Sequence, residues 1–387
     1  MATVDATVES LAAQARAAGR LGIDTEFMGE GRYRSLLCLV QVGVEEGEDV
    51  RVEVLDPIEQ RFDPGPLAEV LADPHLEVIM HAGRQDVALL KRVWSTEVRC
   101  IFDTQVAAGF AGRRAQLGYE AILSEMLGVR LRKTASFTRW DVRPLSPEQV
   151  NYAREDVLHL PALADALQEE LAARGRLEWA REECRALEDA TDERDTDLIF
   201  ARLPRVNSLE PSQRAVAREL VEWREAVARE GDRPVLSVLG DAPLVEVAKR
   251  RPASLDRLAQ IRGLNESTLR RRGRAIIEAV ERGRERPPIP SDGARPLPTD
   301  SSDAPLIALA EALVRARAAE AELAYELLAA RADLQRIVTA LREGAVEPDV
   351  RTLQGWRRAV VGEELLELLA GRRSLRVGRG RRIEVSG

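Results

Sequence analysis

Leu21 to Phe27 reads L-G-I-D-T-E-F, an apolar run that carries two carboxylates, Asp24 and Glu26, two residues apart. Strand side chains alternate faces, so both acids point one way while Thr25 and Phe27 point the other. Two carboxylates on one face of an apolar strand repel each other unless a cation lies between them. A divalent metal is the usual cation, and it needs further carboxylates from elsewhere in the chain. With 65 acidic residues in 387, roughly eleven acid-x-acid pairs arise by chance. The pair therefore acquires meaning only through its partners.

Periodicity and turn residues supply the frame for those partners. A helix is expected over 5–18, then strands over 20–27, 35–44 and 50–55 in an antiparallel meander. Helix 66–72, strand 76–80, helix 84–94, strand 98–102 and helix 103–110 follow in alternation. That order argues for a mixed sheet with flanking helices. Helix 118–127 leads into an irregular basic segment, 128–146, with Arg130, Arg132, Lys133, Arg139 and Arg143. Ser146-Pro147-Glu148 is a helix start for a helix reaching about Arg174, and another helix is expected over 176–200. Beyond a linker at 203–211 the chain reads as helices at 211–230, 243–250, 254–261 and 265–283. A Pro/Ser/Asp/Gly-rich linker separates these from a last helical stretch. The expected division is 1–203, 205–285, a linker at 286–304, and 305–387 ending in a basic tail, whose arginines either bind RNA or lie on a strand, Arg381 to Val385, as ordinary surface charge.

Charge is unevenly spread. The net −8 divides into −13 for residues 1–204, +5 for 205–290 and 0 for 291–387. A basic middle segment is a surface that attracts phosphate. Cys38, Cys100 and Cys184 are odd in number and far apart, and His75, His81 and His159 are scattered. Neither a disulfide framework nor a zinc site is expected. The acidic N-terminus lacks a signal peptide's pattern, and no run has the apolar length to span a bilayer. A cytoplasmic monomer, away from membranes, is expected.

Two stretches offer partners for the acid pair. Met80-His81-Ala82-Gly83-Arg84-Gln85-Asp86 places an acid in the first turn of a helix just past a strand end. Stabilising that helix N-terminus is the more frequent role for an acid so placed. Asn151-Tyr152-Ala153-Arg154-Glu155-Asp156 places Tyr152 and Asp156 four apart on one helix face.

Asp24-Thr25-Glu26, the H-A-G-x-x-D stretch ending in Asp86, Phe102-Asp103-Thr104 and Y-x-x-x-D at 152–156 together resemble the four-acidic-residue 3′→5′ exonucleases of the tyrosine subclass. W-x-x-R-P-L at Trp140 to Leu145, followed by S-P-E-Q-V-N-Y-A, is similar to ribonuclease D in particular. Residues 205–285 resemble the helical helicase-and-ribonuclease-D C-terminal (HRDC) domain. Gly355-Trp356-Arg357 and the helix after it resemble a second such domain. The resemblance implies an α/β exonuclease domain of ribonuclease H-like type followed by two all-α HRDC-like domains. It also implies that Asp24, Glu26, Asp86 and Asp156 hold two divalent ions, Mg²⁺ or Mn²⁺, while Tyr152 holds the attacking water. Asp103 belongs to a motif of the family but is expected to cap a helix. Arg139, Arg154 and Glu155 depart from the residues usual in their motifs.

The implied activity is metal-dependent hydrolysis of RNA from its 3′ end, releasing nucleoside 5′-monophosphates, with tRNA precursors as partners. A DNA exonuclease of the same superfamily, or an RNA-binding protein on an inactive nuclease scaffold, are the rival readings. An acidic nuclease domain needs cations for its substrate. The candidates are Arg143 for a phosphate, Trp140 for a base, Thr25 and Phe27 for the terminal nucleotide, and Arg270, Arg271, Arg272 and Arg274 on one helix.

Overall fold

The structure, a computed structural model, describes residues 3–114, 116–131, 139–290, 302–344 and 346–386. Arg132 and Lys133 of the basic segment, and most of the 286–304 linker, lie outside the described residues.

Helix α1 (Val4–Ala18) starts at Thr3, whose side chain accepts from the Ala6 N–H, and stops at the left-handed Gly19. Strands β1 (Arg20–Met28), β2 (Leu36–Glu46) and β3 (Asp49–Leu55) follow. Then come α2 (Gly65–Ala72), β4 (Glu77–Met80), α3 (Arg84–Trp94), β5 (Ile101–Asp103), α4 (Thr104–Phe110) and α5 (Tyr119–Met126). The five strands form one sheet in the order β3-β2-β1-β4-β5. β2 and β3 pair antiparallel, whereas β1–β4 and β4–β5 pair parallel. The mixed sheet with flanking helices is as expected. Its parallel half brings the C-terminal ends of β1, β4 and β5 to one edge, where α/β sheets build their sites. Asp24 and Glu26 lie there on β1, and Met80 pairs across with Asp103.

Three helical expectations change. The helix expected to reach Arg174 divides at His159 into α6 (Pro147–Leu158) and α7 (Leu160–Ala173). Pro161, in the first turn of α7, has no N–H to continue the ladder. The helix expected over 176–200 divides into α8 (Leu177–Glu188) and α9 (Thr196–Ala201). The Asp195 carboxylate takes the N–H groups of Asp197 and Leu198 and so starts a new helix. A short α11 (Val235–Val238) follows Pro234 between α10 (Pro211–Glu230) and α12 (Asp241–Arg250). Helices α13 (Leu255–Ala259) and α14 (Glu266–Glu285) complete this part. The C-terminal part holds α15 (Asp303–Glu320), α16 (Tyr325–Leu328), α17 (Arg331–Arg342), α18 (Gly355–Arg357) and α19 (Glu363–Leu369). The chain ends not in a plain basic tail but in an antiparallel hairpin of β6 (Ser374–Val377) and β7 (Ile383–Ser386).

The chain forms two compact units: residues 1–26, 37–191 and 297–387 in one, and 27–36 with 192–296 in the other. This differs from the three-part division read from the sequence. In the first unit, helices 303–369 share a single core with the sheet helices. Trp356 stacks on Trp179 at 5.2 Å and meets Phe110 edge-on at 5.1 Å. Arg357 lies over the Trp356 ring and pairs with Glu183. Apolar periodicity shows that a helix has a face to bury, not which body buries it. The second unit is helical, with α10 and α14 packed around Val216, Leu220, Leu244, Leu258 and Ile276.

Candidate active site

Carboxylate oxygens of Asp24, Glu26 and Asp156 lie within 4.8 Å of one another. Asp24 and Glu26 share a face of β1, as the alternation requires. Asp156 comes from α6, which starts at a capping box in which Ser146 and Gln149 bond each other's backbone N–H. Two glycines let α6 and α7 approach the sheet this closely. A Cβ on Gly22 of β1 would meet Leu160 Cβ at 3.2 Å, and one on Gly43 of β2 would meet the Val157 carbonyl at 3.1 Å. Arg154 then ties α6 to β3 through the Val52 carbonyl at 2.8 Å. That is a task for one of the residues that depart from the family pattern.

Asp86 lies outside the close triplet. It is buried in the first turn of α3, and Thr25 donates its hydroxyl hydrogen bond to it. Thr25 is itself buried, so it orients Asp86 from the strand's other face instead of facing a nucleotide. The turn before α3 is held by Asp103. Its carboxylate accepts from the N–H groups of Ala82, Gly83, Gln105 and Val106 at 2.8 to 3.2 Å. This one cap joins the start of α4 to the H-A-G turn and sets where α3, and hence Asp86, begins. His81 bridges Thr104 at 2.9 Å and the Leu117 carbonyl at 3.1 Å, and burial lowers its pKa.

The acids repel one another in a buried setting. Burial pushes Asp24 well above the usual carboxylate range, and Asp86, Asp156 and Glu26 add to it. Glu26 is pushed up to about 8 by burial and then by Asp156 and Asp86. Asp156 rises to about 7 through burial and Glu155, against the hydrogen bond from Tyr152. Asp86 rises to about 6, burial outweighing the Thr25 hydrogen bond. Burial and the neighbouring acids also push the Tyr152 phenol up, so it stays a neutral donor at ordinary pH. Such a set of hard oxygen donors, costly when ionised and alone, fits divalent cations.

The remaining expected contacts are placed differently. Arg143 gives all five N–H groups to the protein: a bidentate pair with Asp56 at 2.6 and 2.7 Å, and the carbonyls of Cys38, Trp140 and Val142. It straps the 140–143 loop to the sheet and has no donor left for a phosphate. Trp140 is 4% exposed, with its ring tilted against Tyr152 at 6.1 Å between centroids. It supports the tyrosine instead of stacking on a base. Phe27 is half-buried at the end of β1. On α14, Arg270, Arg271 and Arg274 are exposed, while Arg272 donates to the carbonyls of Ser237 at 2.7 Å and Val238 at 3.1 Å. Burial, Arg233 and Arg271 together lower the Arg272 pKa. Arg233 therefore belongs to this basic cluster, a membership that sequence distance concealed. Tyr119 also escaped the sequence reading. Its ring lies 5.3 Å from that of His81, and burial with Asp156 and Asp24 pushes its phenol up. As the first residue of a short amphipathic helix it carried no signal.

Comparison with known proteins points to one family. Residues 1–172 match the 3′-5′ exonuclease family model and residues 213–280 the HRDC domain model. A ribonuclease D of Gluconacetobacter diazotrophicus is 37% identical over 92% of this chain and 89% of its own. One from Granulibacter bethesdensis is 36% identical over 90% and 87%. The crystal structure of Escherichia coli RNase D, an exoribonuclease involved in structured RNA processing, superposes with a TM-score of 0.81 at 28% identity, covering 95% of this chain and 97% of that one. The chain belongs to the ribonuclease D family of 3′→5′ exoribonucleases.

Proposed function

We propose that the protein removes nucleotides from RNA 3′ ends, tRNA precursors among them, at the cluster of Asp24, Glu26, Asp86 and Asp156. It acts there as a cytoplasmic monomer. The observation that carries this is the convergence of Asp24, Glu26 and Asp156 within 4.8 Å beside Tyr152. Two divalent cations, Mg²⁺ or Mn²⁺, would supply charge neutralisation for the attacking water and the leaving 3′-oxygen. Asp24, Glu26 and Asp156, with Asp86 nearby, would hold these ions. Thr25 keeps Asp86 oriented through its hydroxyl. The Tyr152 hydroxyl, kept protonated, orients the water and is not its base. Cleavage at the bond before the last nucleotide leaves a nucleoside 5′-monophosphate. The exposed Arg270, Arg271 and Arg274 of α14 would hold RNA phosphates elsewhere on the strand.

The test uses the full chain with 3′-labelled RNA and DNA, with Mg²⁺, Mn²⁺ or EDTA, beside Asp24→Asn and Asp156→Asn. Metal-dependent release of mononucleotides from RNA, abolished in both variants, is expected. Release in EDTA, or full activity in either variant, would overturn the mechanism, and preference for DNA would overturn the substrate.

A further inference from the structure

The β6–β7 hairpin is used by nothing described so far. Residues 372–382 hold six arginines in eleven positions. The structure folds this run into the β6–β7 hairpin, with Leu375 opposite Val385, Arg376 opposite Glu384 and Val377 opposite Ile383. Leu375 and Val385 pack against the core of the first unit, so the hairpin is anchored through one face. The arginines nearest that anchor are neutralised: Arg372 pairs with Glu367, Arg373 with Glu364 and Glu367, and Arg376 with Glu384 across the strands.

The tip is different. A hydrogen bond from the Gly378 N–H to the Arg382 carbonyl, 2.8 Å, closes a turn that reads G-R-G-R-R. Gly380 takes φ 74°, the left-handed conformation that lets the chain reverse there. Arg379 and Arg382 are exposed, and neither has an acidic partner among the described residues. Val377, 77% exposed, lies beside them. The tip is cationic at Arg379 and Arg382, while the Glu384 carboxylate that pairs with Arg376 lies over Gly378. Gly380, between Arg379 and Arg382 in the turn, has nothing within 4 Å of where a Cβ would stand, which leaves room for a phosphate backbone, and the planar guanidinium fork matches phosphate oxygens. Residues 1–204 carry a net −13, so an anionic polymer meets repulsion from that part of the chain and attraction from this tip.

We propose that the β6–β7 hairpin is an RNA-backbone contact of this protein, with Arg379 and Arg382 as its phosphate ligands. The inference rests on the reading of RNA as substrate, but its test does not require hydrolysis. Binding of a 5′-fluorescein-labelled 30-nucleotide RNA to the full chain is measured by anisotropy in EDTA at 50 to 200 mM KCl. Three proteins are compared: wild type, Arg379→Ala/Arg382→Ala and Arg379→Lys/Arg382→Lys. Two lost phosphate contacts make the slope of log affinity against log salt shallower by about 1.4. The advantage of the wild type over the alanine variant then shrinks about sevenfold across that salt range. The lysine variant keeps the wild-type slope, because the charge remains. Melting temperatures check that all three proteins are folded. An unchanged affinity and slope in the alanine variant would overturn the proposal and leave an acidic protein as the partner to seek. Equal loss in the lysine variant would overturn it too. If the wild type binds RNA in EDTA but releases no mononucleotide with Mn²⁺, the nuclease reading fails while the hairpin is still decided by the slopes.

Discussion

Glu26→Gln is expected to stabilise the metal-free protein and to destroy its response to metal. Glu26 titrates near 8 in the folded chain against 4.5 when unperturbed, because it is buried among Asp156 and Asp86. The folded state therefore holds a proton that the unfolded chain releases above pH 4.5. Stability is fully present below pH 4.5 and falls as pH rises through the window to about 8. Each pH unit in that window costs about 1.4 kcal/mol through this one group, so about 3 kcal/mol is lost by pH 7. Asp86 and Asp156, raised to about 6 and about 7, act in the same direction. A glutamine cannot ionise, so the variant keeps what the wild type loses. In a body of this size that is about 6 °C in melting temperature at pH 7 in EDTA, and almost nothing at pH 4.5. Saturating Mn²⁺ reverses the order. Cation at 100 times its dissociation constant adds about 2.7 kcal/mol per site to the wild type, and the variant has lost a carboxylate charge from the site. Scanning calorimetry of both proteins at pH 4.5, 6 and 8, with EDTA and with Mn²⁺, reads all of this. A wild-type melting temperature that climbs from pH 5 to pH 8 in EDTA would refute the reasoning, as would a variant less stable than wild type in EDTA at pH 8.

Arg143→Ala should cost stability and leave RNA binding alone. It breaks a bidentate pair with Asp56, with both side chains about 15% exposed, so a loss of about 3 kcal/mol in urea unfolding is expected with an unchanged salt slope for RNA. A shallower slope at full stability would return Arg143 to the phosphate. Gly43→Val places atoms where the Val157 carbonyl already lies. It should lower kcat by an order of magnitude or more through displaced Tyr152 and Asp156, and wild-type kcat would show that the close approach does not matter. Trp356→Ala removes an indole stacked on Trp179 and wedged against Phe110. About 3–5 kcal/mol should be lost from the unfolding transition that also monitors the sheet. A separate transition for residues 303–386 would contradict the shared core.

Much of the site was legible in the residues. The acid pair of β1 follows from alternation on an apolar run, and the i, i+4 spacing of Tyr152 and Asp156 from helix geometry. The cap role of Asp103 was legible too, because a carboxylate between a strand and a helix has N–H groups waiting for it. Arg143, Trp140 and Thr25 were not. Each was expected to face RNA, and each is occupied inside the protein by partners up to 105 positions away. A charge or an indole in a loop reads the same whether it meets solvent, ligand or a distant carbonyl.

What the local pattern determines are periodicities, turns and caps, since these depend on neighbours within a few residues. Sheet, helices, the acid pair and the second carboxylates all belong there. Tertiary structure alone decided how long-range partners share the chain. It put helices 303–369 into the core of the sheet, used Gly22 and Gly43 to press Asp156 against Asp24 and Glu26, and turned an arginine-rich end into a hairpin. Burial and charge proximity are sums over all nearby atoms, whatever their place in sequence. For that reason the raised pKa values of the four acids, and the demand for cations that they express, exist only once the chain has folded.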